Sequence, residues 1–242
     1  MRVLVLSDIH ANLTALNRVL EDAGSFDAVW CLGDLVGYGP DPNECIDRVQ
    51  QLPKLTCLIG NHDLAALGSI PLHRFNADAS ASVAWTRGQL TDASSAYLAS
   101  LKAKTLMPPF TLAHGSPRQE VWEYILDHHG ADRNFDILET DYCLIGHSHL
   151  PLGFVRFPGE SYCLPVQLPV GVPLGLTPRM ILNPGSVGQP RDLDPRSAYS
   201  LLDTEALTWE PRRVAYAVAD VQERILEAGL PERQAIRLVG GW

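Results

Sequence analysis

The sequence predicts an α/β protein in which two mixed β-sheets pack face to face and are flanked by helices. Two observations lead to this fold class. Strands alternate with helices through the first half of the chain, whereas beyond Pro151 shorter strands follow one another with only turns between them. Helical connections favour parallel strands and turns favour antiparallel ones, so both kinds are expected. The 242 residues, 46% of them apolar, contain no clean linker and no repeat, so we expect a single domain over residues 1–242.

The first half of the chain begins with a buried strand. Residues 3–6 are an uninterrupted apolar run, and similar runs at 28–32 and 54–59 predict the second and third strands. A helical face follows the first strand and is formed by Leu13, Leu16, Val19 and Leu20.

Helix signals then follow the second and third strands. Asp41 is expected to cap a helix, because a proline comes directly after it and a glutamate stands at the third helical position. A mostly helical stretch from 77 to 103 is broken near Gly88 and restarts with Thr91 as its cap.

The remaining elements are shorter. Apolar runs at 110–113 and 142–145 predict two short buried strands. Beyond Pro151 we expect turn-separated strands at 154–157, 162–168, 180–182, 198–202 and 207–216. The stretch 170–179 is rich in Gly and Pro and predicts a surface loop, and the tail predicts two helices, 218–228 and 232–238.

Composition argues against several classes of function. A net charge of −9 disfavours an extended nucleic-acid tract, because phosphate binding requires clustered Lys and Arg. No segment approaches roughly 18 uninterrupted apolar residues, so we expect no membrane span. The first strand begins at once, with no signal-peptide pattern before it. Five cysteines without a Cys-x-x-Cys pair are typical of reduced thiols and, together with these features, predict a cytoplasmic protein.

Five short polar segments each follow an apolar run. They are Ser7–His10, Gly33–Asp34, Gly60–Asp63, His114–Gly115 and Gly146–His149. Loops after parallel strands meet at one edge of a sheet, so we expect these side chains to converge there. Together they supply carboxylates, an amide oxygen and imidazoles. These groups form a ligand set for two divalent cations and leave one further group as a proton donor.

The chemistry of each residue indicates its place in such a site. Asp8 and His10 are two residues apart, so an extended exit from the strand directs both side chains to the same side. Asp34 has two carboxylate oxygens and can bridge two ions. Oxygen and nitrogen ligands without thiolate favour Mn, Fe, Zn, Co or Ni over Ca or a structural zinc, with no choice among the five. The candidate metal ligands are Asp8, His10, Asp34, Asn61, His114, His147 and His149.

The order of these segments resembles that of the calcineurin-like metallophosphoesterases. The pattern Asp-x-His, Gly-Asp, Gly-Asn-His-(Asp/Glu), His and Gly-His-x-His is complete between Asp8 and His149, and 33–42, 114–117 and 183–191 are similar to a small prokaryotic branch. The resemblance implies an αββα sandwich with a dinuclear centre. By position it implies one ion held by Asp8, His10 and His149, another held by Asn61, His114 and His147, and Asp34 as the bridge.

The resemblance further implies an enzyme that hydrolyses phosphomonoesters or phosphodiesters through a metal-bridging hydroxide. Its substrate would be a small phosphoester, with nucleotides among the candidates. His62 would donate a proton to the leaving oxygen or stabilise charged oxygens, and Asp63 would orient or charge His62. Gly37 and Tyr38 replace the acid and arginine of the protein Ser/Thr phosphatases, which disfavours phosphoprotein substrates, and Ala11 stands where glycine is more usual.

Alternatives remain open for the whole protein and for single residues. A non-catalytic metal-binding scaffold with the same fold is the main competing hypothesis, and a nuclease would require a positively charged trough. Arg118 and Arg191 either bind a phosphate bidentately or are solvated. Tyr38, Trp122 and Tyr124 either stack on the substrate or pack in the core and loops.

Three further features lack a firm assignment. His73, His128 and His129 stand outside any motif and are interpreted as surface residues. Asn183–Ser186 predicts a tight turn that helps to shape the site. The segments 115–136 and 159–179 determine the pocket, and the sequence does not define their conformations.

Overall fold

Two six-stranded β-sheets form the centre of the protein in a computed structural model that describes all 242 residues. The strands are β1 (Arg2–Leu6), β2 (Ala28–Cys31), β3 (Thr56–Cys57), β4 (Lys104–Met107), β5 (Phe110–Ala113), β6 (Tyr142–Leu144), β7 (Pro151–Val155), β8 (Leu164–Pro165), β9 (Leu174–Gly175), β10 (Met180–Pro184), β11 (Ser197–Asp203) and β12 (Thr208–Val214). The helices are α1 (Leu13–Asp22), α2 (Pro42–Gln50), α3 (Asn61–Ala66), α4 (Ala77–Gln89), α5 (Asp92–Ser100), α6 (His128–Phe135), α7 (Val218–Glu227) and α8 (Glu232–Gly240), with a 3-10 turn at Leu72–Arg74.

Both sheets combine parallel and antiparallel strands. The first has the order β3-β2-β1-β11-β12-β9, and its parallel part is β1 to β3. The second has the order β4-β5-β6-β10-β7-β8, and its parallel part is β5, β6 and β10. Two mixed sheets flanked by helices confirm the predicted fold class.

Side chains of β1 alternate between two cores. Val3 and Val5 face the second sheet and share a cluster with Leu112 of β5. Leu4 and Leu6 point the other way and pack in the cluster that contains the apolar face of α1. Successive strand residues point to opposite faces, so a strand that is covered on both sides must be apolar throughout. This explains the unbroken apolar run at the start of the chain.

The parallel strands of both sheets end at the edge that carries the polar segments. Leu6 of β1 lies opposite Cys31 of β2, which in turn lies opposite Cys57 of β3. In the second sheet Leu144 of β6 lies between Leu112 of β5 and its partner in β10. The residues that follow these strands therefore start from neighbouring positions, as the sequence predicts.

Several short elements differ from the prediction. The third strand, predicted at 54–59, is limited to β3, and α3 begins four residues after it. The strand β4 was missed, because none of its residues is fully buried. The strand predicted at 154–157 is β7, which begins at Pro151 and ends at Val155. The strand predicted at 162–168 is reduced to β8, and the loop predicted at 170–179 contains β9.

Helix caps agree with the prediction at one site and not at another. Thr91 caps α5, since its hydroxyl accepts the N–H of Ser94 at 3.1 Å. Asp41 stands at the N-cap position of α2, but its carboxylate makes no cap and instead accepts the N–H of Leu13 and binds Arg224. The helix α6, which is capped by the Asp127 carboxylate, was not predicted from the sequence.

The terminal helices predicted from the tail are α7 and α8, whose apolar faces form a cluster of their own. All five cysteines are free thiols. None of the helices has the length and apolarity needed to cross a bilayer.

Candidate metal centre

The first cluster of candidate ligands contains Asp8, His10 and His149, all almost fully buried. The Nε2 atoms of the two imidazoles are 3.0 Å apart. They lie 3.8 Å (His10) and 3.4 Å (His149) from Oδ1 of Asp8, an oxygen that has no hydrogen-bond partner. Two nitrogen atoms and an unsatisfied carboxylate oxygen that converge in a buried space match the donor set of a divalent cation.

The second cluster contains Asp34, His114 and His147, with Asn61 beside it. Nε2 of His114 is 3.4 Å from Oδ2 of Asp34 and 3.2 Å from the side-chain oxygen of Asn61. Oδ2 of Asp34 and Nε2 of His147 are both buried without a hydrogen-bond partner. This cluster therefore also contains buried polar atoms without a hydrogen-bond partner.

Asp34 connects the two clusters. Its Oδ2 atom lies 3.7 Å from Nε2 of His10 in the first cluster and 3.4 Å from Nε2 of His114 in the second. Its Oδ1 atom accepts the backbone N–H of His62 at 2.9 Å, which fixes the orientation of the carboxylate. One carboxylate thus faces imidazoles from both clusters.

Three of the imidazoles are held in one tautomer by backbone carbonyls. Nδ1 of His10, His114 and His149 lies 3.0, 2.8 and 2.6 Å from the carbonyl oxygens of Val36, Leu32 and Gln189, respectively. A carbonyl can only accept, so each Nδ1 carries a hydrogen and Nε2 is the nitrogen that faces the cluster. This is the usual outer arrangement around a histidine that binds a metal.

The backbone at the strand ends is left-handed, contrary to the extended exit predicted for Asp8 and His10. Five candidate ligands have positive φ angles, namely Asp8 (54°), His10 (48°), Asp34 (54°), His147 (64°) and His149 (61°). Non-glycine residues rarely adopt this conformation, which costs on the order of 1–3 kcal/mol each at such sites. Ala11 has a φ of 50°, which explains why glycine is more usual there.

The segment after β10 holds the first of these turns in place. The N–H groups of Val187 and Gly188 donate to the carbonyls of Ser7 and Asp8, and the Ser186 hydroxyl donates to the Asp8 carbonyl. A Cβ on Gly188 would come within 1.8 Å of the Ile9 carbonyl oxygen, so only glycine fits. The turn predicted at Asn183–Ser186 therefore shapes the site through the backbone.

The electrostatics of the first cluster differ from those of the second. Burial raises the pKa of Asp8 to about 7 and places the pKa values of His10 and His149 well below their usual range. In the second cluster, burial opposes ionisation of Asp34, but the nearby imidazoles outweigh it and lower its pKa. Asp34 in turn overcomes the effect of burial on His114 and raises its pKa to about 9.

His62 lies beside the first cluster without belonging to it. Its ring centroid is 4.9 Å from that of His10 and 4.4 Å from that of Tyr38. Its Nδ1 atom has no partner and packs against Gly37, where a Cβ would come within 2.6 Å of it. Burial lowers the pKa of His62 to about 4, so the imidazole is neutral at pH 7.

Asp63, predicted to orient or charge His62, binds the backbone through its carboxylate. Its two carboxylate oxygens accept the backbone N–H groups of Gly60 (2.9 Å) and Val36 (3.1 Å), and neither forms a hydrogen bond with His62. Asp63 is the third residue of α3 and caps that helix as an acid at this position commonly does. An acid three residues after Gly60 is the signal that could have identified this structural role.

Two side chains that the sequence left open lie at the candidate site. The Arg191 guanidinium donates to the Tyr38 hydroxyl (3.4 Å) and the Gln189 side-chain oxygen (2.9 Å), and no carboxylate lies within 4.0 Å of it. The Tyr124 ring, which is half exposed, stacks on His147 with a centroid distance of 4.0 Å and an angle of 12°. No sequence signal marks Tyr124, because its loop lacks a motif.

The other two open residues contact the surrounding loops, although the Trp122 ring also lies 6.4 Å from that of His147. Trp122 packs against Phe75 and under the Arg74 guanidinium, and Arg118 pairs with Glu123 at 3.3 Å. Outside both clusters lie His73, His128 and His129.

One family model and several known proteins match this chain over most of its length. The model of the "Calcineurin-like phosphoesterase superfamily domain" matches residues 1–207. An uncharacterized protein of Methanocaldococcus jannaschii is 34% identical over 256 aligned positions, which cover 99% of this chain and 98% of that protein. A metallophosphoesterase from Sphaerobacter thermophilus is 41% identical, with a TM-score of 0.91 over 100% of this chain and 99% of that one. A hypothetical protein from Pyrococcus horikoshii, 20% identical, shares the fold with a TM-score of 0.82 over 100% and 98% of the two chains.

Proposed function

The chain belongs to the calcineurin-like phosphoesterase superfamily, and from this premise we propose that it is a dinuclear metal-dependent hydrolase of phosphomonoesters or phosphodiesters. The observation that carries the proposal is the position of Asp34, whose Oδ2 atom faces imidazoles of both ligand clusters. A carboxylate in this position lets two cations share one ligand.

The ligand assignment follows the two clusters. The first ion would be held by Asp8, His10 and His149, the second by Asn61, His114 and His147, and Asp34 would contact both. The mixture of imidazole, carboxylate and amide donors fits Mn, Fe, Zn, Co or Ni. When bound, such a pair of cations lowers the pKa of a water molecule toward neutrality and neutralises charge on a phosphoryl group.

The remaining residues of the site act on the substrate directly. Arg191 has no carboxylate partner and is oriented by Tyr38 and Gln189, so its guanidinium is free to bind phosphoryl oxygens. His62 is neutral before the substrate arrives, and its N–H can donate to the oxygen of the leaving group. The negative charge of the substrate then favours protonation of the ring, which assists departure of that oxygen.

The test is the substitution His62→Asn, measured with p-nitrophenyl phosphate and Mn²⁺. We expect the variant to retain its metal content, because His62 belongs to neither cluster, and to lose roughly 10²–10⁴-fold in turnover. His73→Asn is the matched control, since His73 is an exposed histidine away from both clusters. Equal turnover in His62→Asn and the parent would refute the role of His62. Metal binding without hydrolysis of any phosphoester would support the scaffold hypothesis instead.

A further inference from the structure

Two arginines, Arg191 and Arg237, lie next to the candidate site on the side of His62. The Tyr38 ring, which packs against His62, has the Cζ atom of Arg191 5.8 Å and that of Arg237 5.9 Å from its centroid. Arg237 belongs to α8, beyond the residues that the family model matches. The C-terminal helix therefore adds a positive charge beside the site.

α8 is fixed to the site by hydrogen bonds. The Gln234 side chain accepts from Gln189 at 3.1 Å, and the same Gln189 accepts from Arg191. Both glutamines are buried, so the position of α8 relative to Arg191 is well defined. Arg237 lies one turn beyond Gln234 on α8, so the hydrogen bond between Gln189 and Gln234 also determines the position of Arg237.

Arg237 lines a polar cavity of about 420 Å³, which we call the arginine pocket. The residues that line this pocket are Asn76, Ala77, Asp78, Arg233, Gln234 and Arg237. Asn76 and the first turn of α4 form one wall. Arg233 and Arg237 are four residues apart on α8 and form the other wall. Arg237 links the pocket to the candidate site, because its Cζ atom is 5.9 Å from the centroid of the Tyr38 ring, which lies 4.4 Å from that of His62.

The positive charge of this pocket is only partly compensated. Arg233 lies 4.0 Å from the Asp78 carboxylate, whereas no side-chain carboxylate lies within 4.0 Å of Arg237. Nε of Arg237 donates to the main-chain oxygen of Trp242, which leaves its two terminal nitrogens available. Burial and the nearby Arg191 lower the pKa of Arg237 to about 10, so its guanidinium is charged at neutral pH.

We propose that the arginine pocket binds a second phosphate, carried by the leaving group of the substrate, through Arg237 and Arg233. The inference rests on the proposed phosphoesterase function, because His62 defines the side on which the leaving group departs. With the scissile phosphoryl group at the ligand clusters and under Arg191, the leaving group passes His62 and Tyr38 and reaches Arg237. The substrate class is then a phosphoanhydride, or another ester whose leaving group is itself phosphorylated.

The reaction is a hydrolysis in every case. An oxygen atom from water bonds to the scissile phosphorus, and the bond between that phosphorus and the leaving oxygen breaks. The leaving group keeps the electron pair and takes up a proton on that oxygen. The second phosphate of the leaving group stays ionised, so a guanidinium is needed at the place where that phosphate binds.

The experiment compares two substrates in Arg237→Gln and in the parent with Mn²⁺. Adenosine diphosphate has a phosphorylated leaving group, and p-nitrophenyl phosphate has an uncharged aromatic one. We expect the ratio of kcat/KM for adenosine diphosphate to that for p-nitrophenyl phosphate to fall about tenfold or more, because a charge-assisted hydrogen bond is lost. Arg237→Lys should recover part of the ratio, since it keeps the charge. Arg133→Gln, which removes an exposed arginine of α6, should not change it.

Each other outcome decides against the inference. An unchanged ratio in Arg237→Gln, or an equal fall for both substrates, would show that Arg237 does not recognise a second phosphate. A parent that cleaves p-nitrophenyl phosphate but not adenosine diphosphate would refute the pocket while leaving the proposed function intact. If the parent cleaves neither, the proposed function fails, and calorimetry decides the pocket separately. Adenosine diphosphate should then bind the parent about tenfold more tightly than Arg237→Gln, and equal affinities would overturn the inference.

Discussion

The two ligand clusters are built from similar residues but compensate their charges differently. In the first, two neutral imidazoles present lone pairs 3.0 Å apart toward a carboxylate with a raised pKa. In the second, His114 has a raised pKa and lies 3.4 Å from the Asp34 carboxylate, whose pKa is lowered. The second cluster therefore contains its own ion pair, whereas the first contains two neutral imidazoles beside a carboxylate with a raised pKa.

This difference predicts that the two proposed cations would contribute unequally to the stability of the site. A cation at the first cluster relieves repulsion between lone pairs, while a cation at the second must displace a proton from His114. Asp34 belongs to the second cluster by its ion pair but also faces His10. The two clusters thus share one carboxylate, while each also has donors of its own.

The largest effect is expected from Asp34→Asn, which tests whether the clusters are coupled. Loss of the shared carboxylate should remove both cations and reduce phosphoester hydrolysis by roughly 10³-fold or more, because the cation pair supplies several kcal/mol of transition-state stabilisation. Metal content by mass spectrometry and turnover of p-nitrophenyl phosphate measure the two losses. Asp92→Asn, in the exposed first turn of α5, is the control. Retention of one full equivalent of metal would mean that the clusters are separate.

Two single variants, His149→Ala and His147→Ala, separate the contributions of the two clusters to metal binding. Each variant should lose the cation of its own cluster and keep part of the other, and each should lose at least the roughly 10–100-fold in affinity that even an outer-shell change costs. The protein with His149→Ala should show the larger gain in metal-free stability, since the 3.0 Å contact between imidazole nitrogens disappears. Titration calorimetry and thermal unfolding in chelator measure both. Identical behaviour of the two variants would contradict the asymmetry.

The positions of these ligands were predictable from the sequence, but their conformations were not. Asp8, Asp34 and His147 each follow an apolar run, and parallel strands bring such positions to one edge. Their left-handed backbone depends on hydrogen bonds from distant segments such as Val187, which no local pattern specifies. The hydrogen bonds of Asp63 were missed, because the prediction considered only its neighbour His62, although its spacing from Gly60 is that of a helix cap.

Contacts between distant segments were equally out of reach. The proximity of Arg191 to α8 depends on where the terminal helices pack. Helix amphipathicity predicts only which face of a helix is buried, not which segment covers that face. The short helix α3 was missed because six residues are too few for a periodic signal. Sequence patterns thus located the chemistry of the site, while the surroundings that tune it required the folded chain.

A smaller effect, confined to the first cluster, is expected from Ser7→Ala. The Ser7 hydroxyl donates to Oδ2 of Asp8 at 2.6 Å, so its removal should lower affinity for one cation by roughly 10–100-fold and leave the other unchanged. Ser200→Ala is the matched control, because Ser200 is a buried serine of β11 whose hydroxyl has no partner. Calorimetric titration with Mn²⁺ resolves the two affinities. Equal losses in both variants would attribute the effect to packing rather than to Asp8.

The smallest effect is a difference in the pH dependence of the two affinities, amounting to about tenfold per pH unit for each proton displaced. Burial raises the pKa of Asp8 to about 7, so affinity at the first cluster should increase with pH up to about 7 and then level off. Asp34 raises the pKa of His114 to about 9, so affinity at the second cluster should continue to increase up to about 9. Between pH 7 and 9 only one of the two affinities should change, because a proton then has to leave His114 alone. Titrations with Mn²⁺ in buffers of different ionisation enthalpy measure this proton release. Parallel changes of both affinities across that range would show that the ion pair between His114 and Asp34 does not distinguish the clusters.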